Sequence, residues 1–229
     1  NSIILVLITT FISSLILVPL VKKIAHHIGA IDMPNERKVH KKPMPRLGGL
    51  AIFLSFLIGY IFFGEVTTQM ISILIGGTLL IILGICDDIK PIKASYKFVG
   101  QVVAASVVVF YGNIYLPSLS AFGLNIEFYN WGYPLAILFI VSIINAINLI
   151  DGLDGLAGGT CSIFFLTIFI IAFCLDRYRT LDVTLCLIML GSTLGFLVYN
   201  FNPASIFMGD TGSMFLGFMI SVIALLGYK

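Results

Sequence analysis

The feature that most constrains this chain is a series of eight apolar runs, each about as long as a membrane-crossing helix. They cover residues 3–21, 47–64, 69–86, 97–112, 132–150, 156–175, 181–199 and 213–228. A helix of roughly 20 apolar residues crosses the hydrocarbon core of a bilayer. The sequence therefore predicts an all-α, polytopic bundle of about eight transmembrane helices.

The composition excludes an ordinary soluble domain. Mean hydropathy is +1.08, and only 10% of the residues are charged, whereas soluble domains carry about 25%. The first run leads directly into further spans, so it is not read as a cleavable signal. We interpret residues 1–229 as a single integral membrane domain. Because apolar runs lie close to both ends, we expect it to be a fragment of a longer protein, lacking a carboxyl-terminal part.

The basic residues predict the orientation of the chain. Ten of the thirteen fall in the first and third connections, which alternation of the spans places on one side of the membrane. The positive-inside bias makes that side cytoplasmic and the amino terminus external. In the first connection, these side chains either bind phosphate groups or only determine topology; the candidates are Arg37, Lys38, His40, Lys41, Lys42 and Arg46.

Acidic residues gather on the same predicted side. Seven of the eleven lie there, and five of the seven come from three separate segments, "GICDDIK", "NLIDGLDG" and "FMGDTGS". These five are Asp87, Asp88, Asp151, Asp154 and Asp210. Each lies where a span meets the cytoplasm, so a helix bundle can bring them together at one depth. The sequence predicts an acidic site there.

Asp87 and Asp88 lie at the carboxyl end of a predicted helix, where the macrodipole disfavours negative charge. The two carboxylates also repel each other. The pair needs a compensating cation, which is Lys90, Lys93, Lys97 or a bound metal. A solvated acidic turn is the alternative, but acids held against both dipole and neighbour favour metal or proton chemistry.

Asp154 and Asp210 each precede a span that enters the membrane from the cytoplasm, so each could simply cap a helix. Capping does not explain Asp151 or the neighbouring glycines. Glycines at helix amino termini let backbone N–H groups approach an anion. Acids beside such a site favour a divalent cation between them and a phosphate, and Mg²⁺ prefers oxygen ligands of this kind.

Three segments together resemble the polyprenyl-phosphate N-acetylhexosamine-1-phosphate transferases. They are "GICDDIKPIKASYKFVGQ", "NAINLIDGLDGLAGG" and "NFNPASIFMGDTGS". A fourth, "DMPNERKVHKKPMPRLGG", resembles the first cytoplasmic loop of the bacterial branch that uses UDP-N-acetylglucosamine. That branch starts wall teichoic acid or O-antigen-type lipopolysaccharide polymers. The muramoyl-pentapeptide transferase branch fits less well.

The resemblance implies transfer of N-acetylglucosamine-1-phosphate from UDP-N-acetylglucosamine to undecaprenyl phosphate, with release of UMP. It implies Mg²⁺ as cofactor, with Mn²⁺ as a substitute, and an active site at the cytoplasmic face of the bacterial cell membrane. The expected partners are these two substrates and membrane lipid, without nucleic acid. A homodimer, and a covalent as opposed to a direct transfer, are left open.

Site residues are carried over by position. Asp87 and Asp88 match the family's paired catalytic aspartates, and Asp210 matches a metal ligand. Asn148 lies where a second metal contact is placed. The expected substrate-binding residues are Asp151, Asp154, Lys97 and Arg46.

The chain departs from the family in one respect. Its histidines are His26, His27 and His40, without the family's histidine-rich loop nearer the carboxyl end. We therefore expect part of the nucleotide site to be missing. The alternative function is a cation- or proton-coupled transporter, whose acids are expected near the membrane midplane instead of at one face.

Overall fold

We obtained a computed structural model of the protein, which describes residues 2–34, 43–121, 124–175 and 180–227. Part of the first connection lies outside these ranges. The phosphate-binding candidates that fall there are Arg37, Lys38, His40, Lys41 and Lys42. Their predicted role stays a prediction.

Within the described residues, eight α-helices form the bundle. They are α1 Ser2–Ile28, α2 Gly48–Phe63, α3 Thr68–Ile89, α4 Ala94–Ser106, α5 Gly132–Ile150, α6 Leu156–Cys174, α7 Leu181–Asn200 and α8 Gly209–Gly227. A π-helical turn, Val107–Tyr111, continues α4. Each of the eight apolar runs coincides with one helix, so the predicted all-α polytopic bundle is confirmed.

Two short hairpins complete the described chain. Strand β1 (Ile31–Asp32) pairs with β2 (Met44–Pro45), and β3 (Ser118–Ala121) pairs with β4 (Leu124–Glu127). Counting α4 together with its π-helical turn, seven helical segments in the described ranges are long and apolar enough to cross a membrane. Helix α2 has 16 residues and so rises about 24 Å, slightly less than a hydrocarbon core.

Helix bounds differ from the predicted spans where polar residues join a helix. Helix α3 runs to Ile89 and includes both Asp87 and Asp88. Helix α8 begins at Gly209, four residues before the predicted start at 213, so Asp210 lies in its first turn. Hydropathy misses these turns because a helix continues wherever its terminal N–H and C=O groups find partners.

Helix α8 is the centre of the bundle and is buried along nearly its whole length. It packs against α5, α3 and α2, while α7 packs against α1 and α6. Glycines allow the closest approaches: a Cβ at Gly49 would strike the backbone of Gly212, and one at Gly84 would strike that of Thr211. Small residues let membrane helices meet backbone to backbone. The amino terminus of α8 is thereby held against the start of α2 and the end of α3.

The connections α1–α2, α3–α4, α5–α6 and α7–α8 lie at one end of the bundle, called the site end below. Hydrogen bonds from Asp210 N to Asp88 and from Asn148 to Ser213 confirm that the three acidic segments come together. The opposite end carries the β3–β4 hairpin and a stack of aromatic rings, in which Tyr115 and Tyr133 have centroids 4.4 Å apart.

Candidate active site

Asp88 lies on α3 but caps the amino terminus of α8. Its Oδ1 accepts a hydrogen bond from Asp210 N at 3.0 Å. Its Oδ2 accepts one from Thr211 N at 3.1 Å and one from Thr211 Oγ1 at 2.6 Å. The two N–H groups are the second and third of α8, the pair that an N-cap side chain normally satisfies. Asp88 therefore fixes the first turn of α8, which carries Asp210.

Gly209 is the residue that makes room for this cap. Its φ is +72°, and a Cβ there would lie 2.8 Å from Asp88 Oδ1. Both observations require a residue without a side chain.

We expect Gly209→Ala to lower the free energy of unfolding by about 1–3 kcal/mol, because it adds left-handed backbone strain and a clash. Thermal unfolding in detergent measures the change. The matched control is Gly159→Ala, where a helical Cβ meets nothing within 4 Å and helix propensity improves. Equal unfolding temperatures for the two variants would contradict the packing described.

Arg46 neutralises the buried carboxylate of Asp88. Its Nε donates to Asp88 Oδ1 at 3.1 Å, and its guanidinium lies 3.6 Å from Asp210 and 3.7 Å from Asp32. Backbone bonds hold its segment beside α8: Phe207 N donates to Pro45 O at 2.8 Å. Arg46 was predicted to bind substrate; here its guanidinium joins three carboxylates at the edge of a cavity.

Lys97 links Asp87, the other aspartate of the pair, to Asp210 on α8. Its Nζ donates to Asp87 Oδ2 at 3.2 Å and to Asp210 Oδ2 at 2.8 Å. Asp87 is held further by the backbone N–H of Ile92 at 2.8 Å. Lys97 is thus the compensating cation expected for Asp87, whereas Lys90 and Lys93 are exposed to solvent. The solvated-turn interpretation is wrong, because Asp87 and Asp88 are buried.

Two further polar residues of the site, Asn148 and Asp151, lie at the carboxyl end of α5. Asn148 Nδ2 donates to Ser213 Oγ, on the second turn of α8, at 2.8 Å. Asp151 follows α5 directly and is partly buried. Burial, with the nearby charges of Asp210 and Asp88, raises the pKa of the Asp151 carboxyl to about 8, although Arg46 opposes the shift.

This shift predicts a pH dependence of stability. Between about pH 4 and 8 the folded protein holds a proton on Asp151 that an unfolded Asp has lost, so stability falls as pH rises through this window. We expect Asp151→Asn to show a flatter pH profile than the wild type when divalent cations are absent. Thermal unfolding at pH 5, 6, 7 and 8 measures both profiles. Parallel profiles would show that Asp151 ionises normally.

Asp154 connects the α5–α6 turn to the loop before α8. Its Oδ2 accepts a hydrogen bond from Ala204 N at 3.0 Å, while Asn200 Oδ1 accepts one from Gly155 N at 3.1 Å. The capping alternatives for Asp154 and Asp210 are therefore wrong. Helix α6 begins after Gly155 without a side-chain cap, and the cap of α8 comes from Asp88.

A cavity of about 790 Å³ opens beside these residues. Its wall combines carboxylates, amides and the aromatic ring of Phe207. The lining residues are Asp32, Met44, Arg46, Asn148, Asp151, Gly152, Leu153, Asp154, Asn200, Asn202, Pro203, Ala204, Phe207, Gly209 and Asp210.

The predicted site residues divide into two groups around Asp210. Those that line the cavity are Arg46, Asn148, Asp151 and Asp154. Asp87, Asp88 and Lys97 do not contribute to the cavity wall. Lys97 joins Asp87 to Asp210, and Asp88 accepts a hydrogen bond from Asp210 N. Asp210 therefore lies between the cavity and the Asp87–Lys97 pair.

The fit of a divalent metal can be tested on these contacts. No group of three His, Cys, Asp or Glu side chains able to hold a metal occurs among the described residues. Mg²⁺ needs fewer protein ligands, because it keeps water and binds substrate phosphates. Burial first, and then the charges of Asp210 and Asp88, raise the pKa of Asp151, so a cation beside this carboxyl would favour its ionised form. Oxygen donors on Asp210, Asn148 and Asp151 are compatible with the ion.

Sequence reasoning missed several contributors to the site. Asp32, Asn200 and Phe207 line the cavity. Asn200 and Phe207 lie within the segment "NFNPASIFMGDTGS", so the motif contained a signal for them. Asp32 is the first residue of the segment "DMPNERKVHKKPMPRLGG", which also contains Arg46, and the β1–β2 pairing brings the two side chains near each other.

The described residues thus form a polytopic helix bundle with paired carboxylates and a polar cavity at one end. Residues 70–228 match the family described as glycosyl transferase family 4. This match covers more than half of the chain, and the chain therefore belongs to that family. Membership gives no support to the transporter alternative.

Curated relatives agree with this assignment. A probable undecaprenyl-phosphate N-acetylglucosaminyl 1-phosphate transferase of Bacillus subtilis is 47% identical over 241 residues, covering 99% of this chain and 64% of the relative. A decaprenyl-phosphate N-acetylglucosaminephosphotransferase of Mycobacterium tuberculosis is 36% identical, covering 88% and 54%. A phospho-N-acetylmuramoyl-pentapeptide-transferase of Staphylococcus carnosus is 31% identical, covering 92% and 71%. The chain thus spans between half and two thirds of the first two relatives.

Proposed function

We propose that the full-length protein transfers N-acetylglucosamine-1-phosphate from UDP-N-acetylglucosamine to undecaprenyl phosphate and releases UMP. The observation that carries the proposal is the place of Asp210, between an acidic, amide-lined cavity and the Asp87–Lys97 pair. A two-substrate phosphoryl transfer needs two adjoining subsites that share one charge-neutralising centre. The names of the two N-acetylglucosamine-specific relatives support the choice of sugar.

The cavity is the proposed donor subsite. Its volume of about 790 Å³ is within the usual range for small-molecule sites. Phe207 lines the cavity and is proposed to pack against the nucleobase. Asn200 and Asp154 form hydrogen bonds with the loop between α7 and α8, which makes up part of the cavity wall. Arg46 offers N–H donors to a phosphate, which its geometry suits.

The acceptor subsite is proposed on the Asp87–Lys97 side. Lys97 lies in the first turn of α4, and its side chain is 25% exposed. Its neighbours Tyr96, Phe98 and Val99 are exposed apolar side chains on the same helix. An ammonium group beside an apolar surface suits a phosphate that is carried by a lipid chain.

In the proposed reaction, an oxygen of the lipid phosphate attacks the sugar-bearing phosphorus of the donor. A P–O bond forms there, the bond from this phosphorus to the bridging oxygen breaks, and its electron pair leaves with UMP. A phosphate monoester has a second pKa of about 6 and is already ionised near neutrality. Asp87 is therefore assigned to orienting the nucleophile through Lys97, with no proton to remove.

A bound Mg²⁺ would neutralise the diphosphate charge that grows on the leaving group. The residues proposed to hold it are Asp210 and Asn148, with Asp151 beside them. Asp88 holds the first turn of α8 and so fixes the backbone of Asp210 beside the cavity.

We further propose that the site end faces the cytoplasm, with the amino terminus outside. Ten of thirteen basic residues lie on the site-end side of the predicted topology, which the positive-inside bias makes cytoplasmic. The lipid product would then initiate a cell-envelope glycopolymer from the inner leaflet of the cell membrane.

The proposal is tested by UMP release. The full-length protein in detergent is incubated with UDP-N-acetylglucosamine, undecaprenyl phosphate and MgCl₂. We expect UMP only when all three are present, and none after chelation. Release with a different sugar nucleotide but not this one would overturn the choice of substrate. No UMP from any sugar nucleotide, with folded protein, would overturn the proposed reaction.

A further inference from the structure

Lys97 forms a salt bridge with Asp210, the same carboxylate that is proposed to bind the metal. Its Nζ lies 2.8 Å from Asp210 Oδ2 and 3.2 Å from Asp87 Oδ2. Within the described part of the chain, it is the one ammonium group in salt-bridge range of either residue. An ammonium ion and a divalent cation on one carboxylate repel each other.

We infer that Lys97 is an internal counterion that competes with the divalent metal for Asp210 and, when the metal displaces it, becomes the donor to the lipid phosphate. The inference rests on the proposed function and adds an order to it. The metal binds first, together with UDP-N-acetylglucosamine, and releases the ammonium group of Lys97 from Asp210. The phosphate of the lipid acceptor then binds to this ammonium group.

The contacts identify Lys97 as the part that moves. Asp210 is fixed by its own backbone N–H, which is bonded to the buried Asp88. Asp87 is fixed by the backbone N–H of Ile92. Lys97 has a flexible four-carbon stem, and an ammonium group has three donors.

Displacement would leave Lys97 attached to Asp87 with two free N–H donors. In the structure its two protein contacts use two of the three donors. Release from Asp210 therefore doubles the number of donors available to a phosphate without moving the helix. Arg46 is not equivalent, because its nearest atom is 3.6 Å from Asp210 and its main contact is Asp88.

The experiment measures metal binding directly, without turnover. Mn²⁺ is titrated into the full-length protein in detergent, and free Mn²⁺ is followed by electron paramagnetic resonance. We expect Lys97→Gln and the apolar Lys97→Met to bind Mn²⁺ about fivefold or more tightly than the wild type, as typical coupling between two sites would give. Lys97→Arg keeps the positive charge and is expected to bind Mn²⁺ as the wild type does.

The matched control is Lys93→Gln, which removes an equal charge from an exposed position one turn away. It is expected to change Mn²⁺ affinity less than twofold, because exposed charges are screened. If Lys97→Gln and Lys97→Met bind Mn²⁺ no more tightly than Lys93→Gln, the competition is overturned. Thermal unfolding of each variant selects folded samples, and Lys97→Met serves if Lys97→Gln does not fold.

Asp210→Asn separates failure of the inference from failure of the proposed function. Loss of Mn²⁺ binding in Asp210→Asn, with no gain in the Lys97 variants, overturns only the competition. Unchanged Mn²⁺ binding in Asp210→Asn overturns both the metal site of the proposed function and the inference that rests on it.

Discussion

Asp210→Asn is expected to lower kcat by about 100- to 1,000-fold, the usual loss when one electrostatic contact to the developing charge is removed. Asn retains the shape of Asp but loses the charge that faces Lys97 at 2.8 Å. It also loses the carboxylate proposed to hold the metal. Because Asp210 lies between both subsites, no neighbouring carboxylate takes over its place.

The fold should survive this change. The backbone N–H of residue 210 keeps its bond to Asp88, and removal of one of several close negative charges reduces repulsion with Asp151. UMP release and thermal unfolding are measured on the same preparation. Glu65→Gln, an exposed acid at the opposite end of the bundle, is the control. Near-normal kcat in folded Asp210→Asn would remove Asp210 from the mechanism.

Asp88→Ala is expected to destabilise the protein by about 3–5 kcal/mol, as does removal of one partner from a buried ion pair. The side chain of Asp88 is fully buried and accepts bonds from Arg46 and from two N–H groups of α8. Alanine would leave these donors without a partner and the guanidinium without its main counterion. Turnover falls as well, because the first turn of α8 carries Asp210.

Asp88 and Asp210 can be distinguished by measuring both stability and rate. Asp88→Ala and Asp88→Asn should both melt below the wild type, whereas Asp210→Asn should not. Asp88→Asn keeps the size of the side chain but places an NH₂ group against donors on α8. An inactive Asp88→Ala with wild-type stability would contradict the positioning role. It would favour instead the direct catalytic role that the sequence suggested for this residue.

The membrane architecture was predictable because bilayer thickness leaves a strong signal in the sequence. Each apolar run became one helix, from α1 to α8. The gathering of Asp87, Asp151 and Asp210 was also predictable, since alternation of spans places their segments at one end. Neither result needed knowledge of how the helices pack.

Individual contacts were not predictable from the sequence, because they join residues far apart in the chain. Hydropathy ends α3 before Asp87, yet Asp88 lies inside that helix and caps one that begins 121 residues later, at Gly209. The cap depends on the close approach of α3 and α8 at Gly84. Arg46 meets Asp88 only because its segment pairs with Phe207. These are consequences of packing, which no local pattern encodes.

The contacts also explain why so many acids are tolerated at the membrane surface. Asp88 is paired with Arg46, and Asp87 and Asp210 share Lys97. Asp151 avoids adding a further charge near neutrality, because its pKa is raised to about 8 and its carboxyl holds a proton. A divalent cation in the cavity would favour the ionised carboxylate, so Mg²⁺ is expected to stabilise the protein more at pH 8 than at pH 6.

In the proposed reaction, the phosphorus next to the sugar moves to the lipid together with the sugar. Donor labelled by ³²P at the phosphate next to the sugar and by ³H in the sugar tests this step directly. We expect both labels to enter the lipid extract in equal amounts, in step with UMP. Transfer of ³H alone, with the ³²P remaining in water-soluble UDP, would show that the sugar moves without its phosphate and would overturn the proposed reaction.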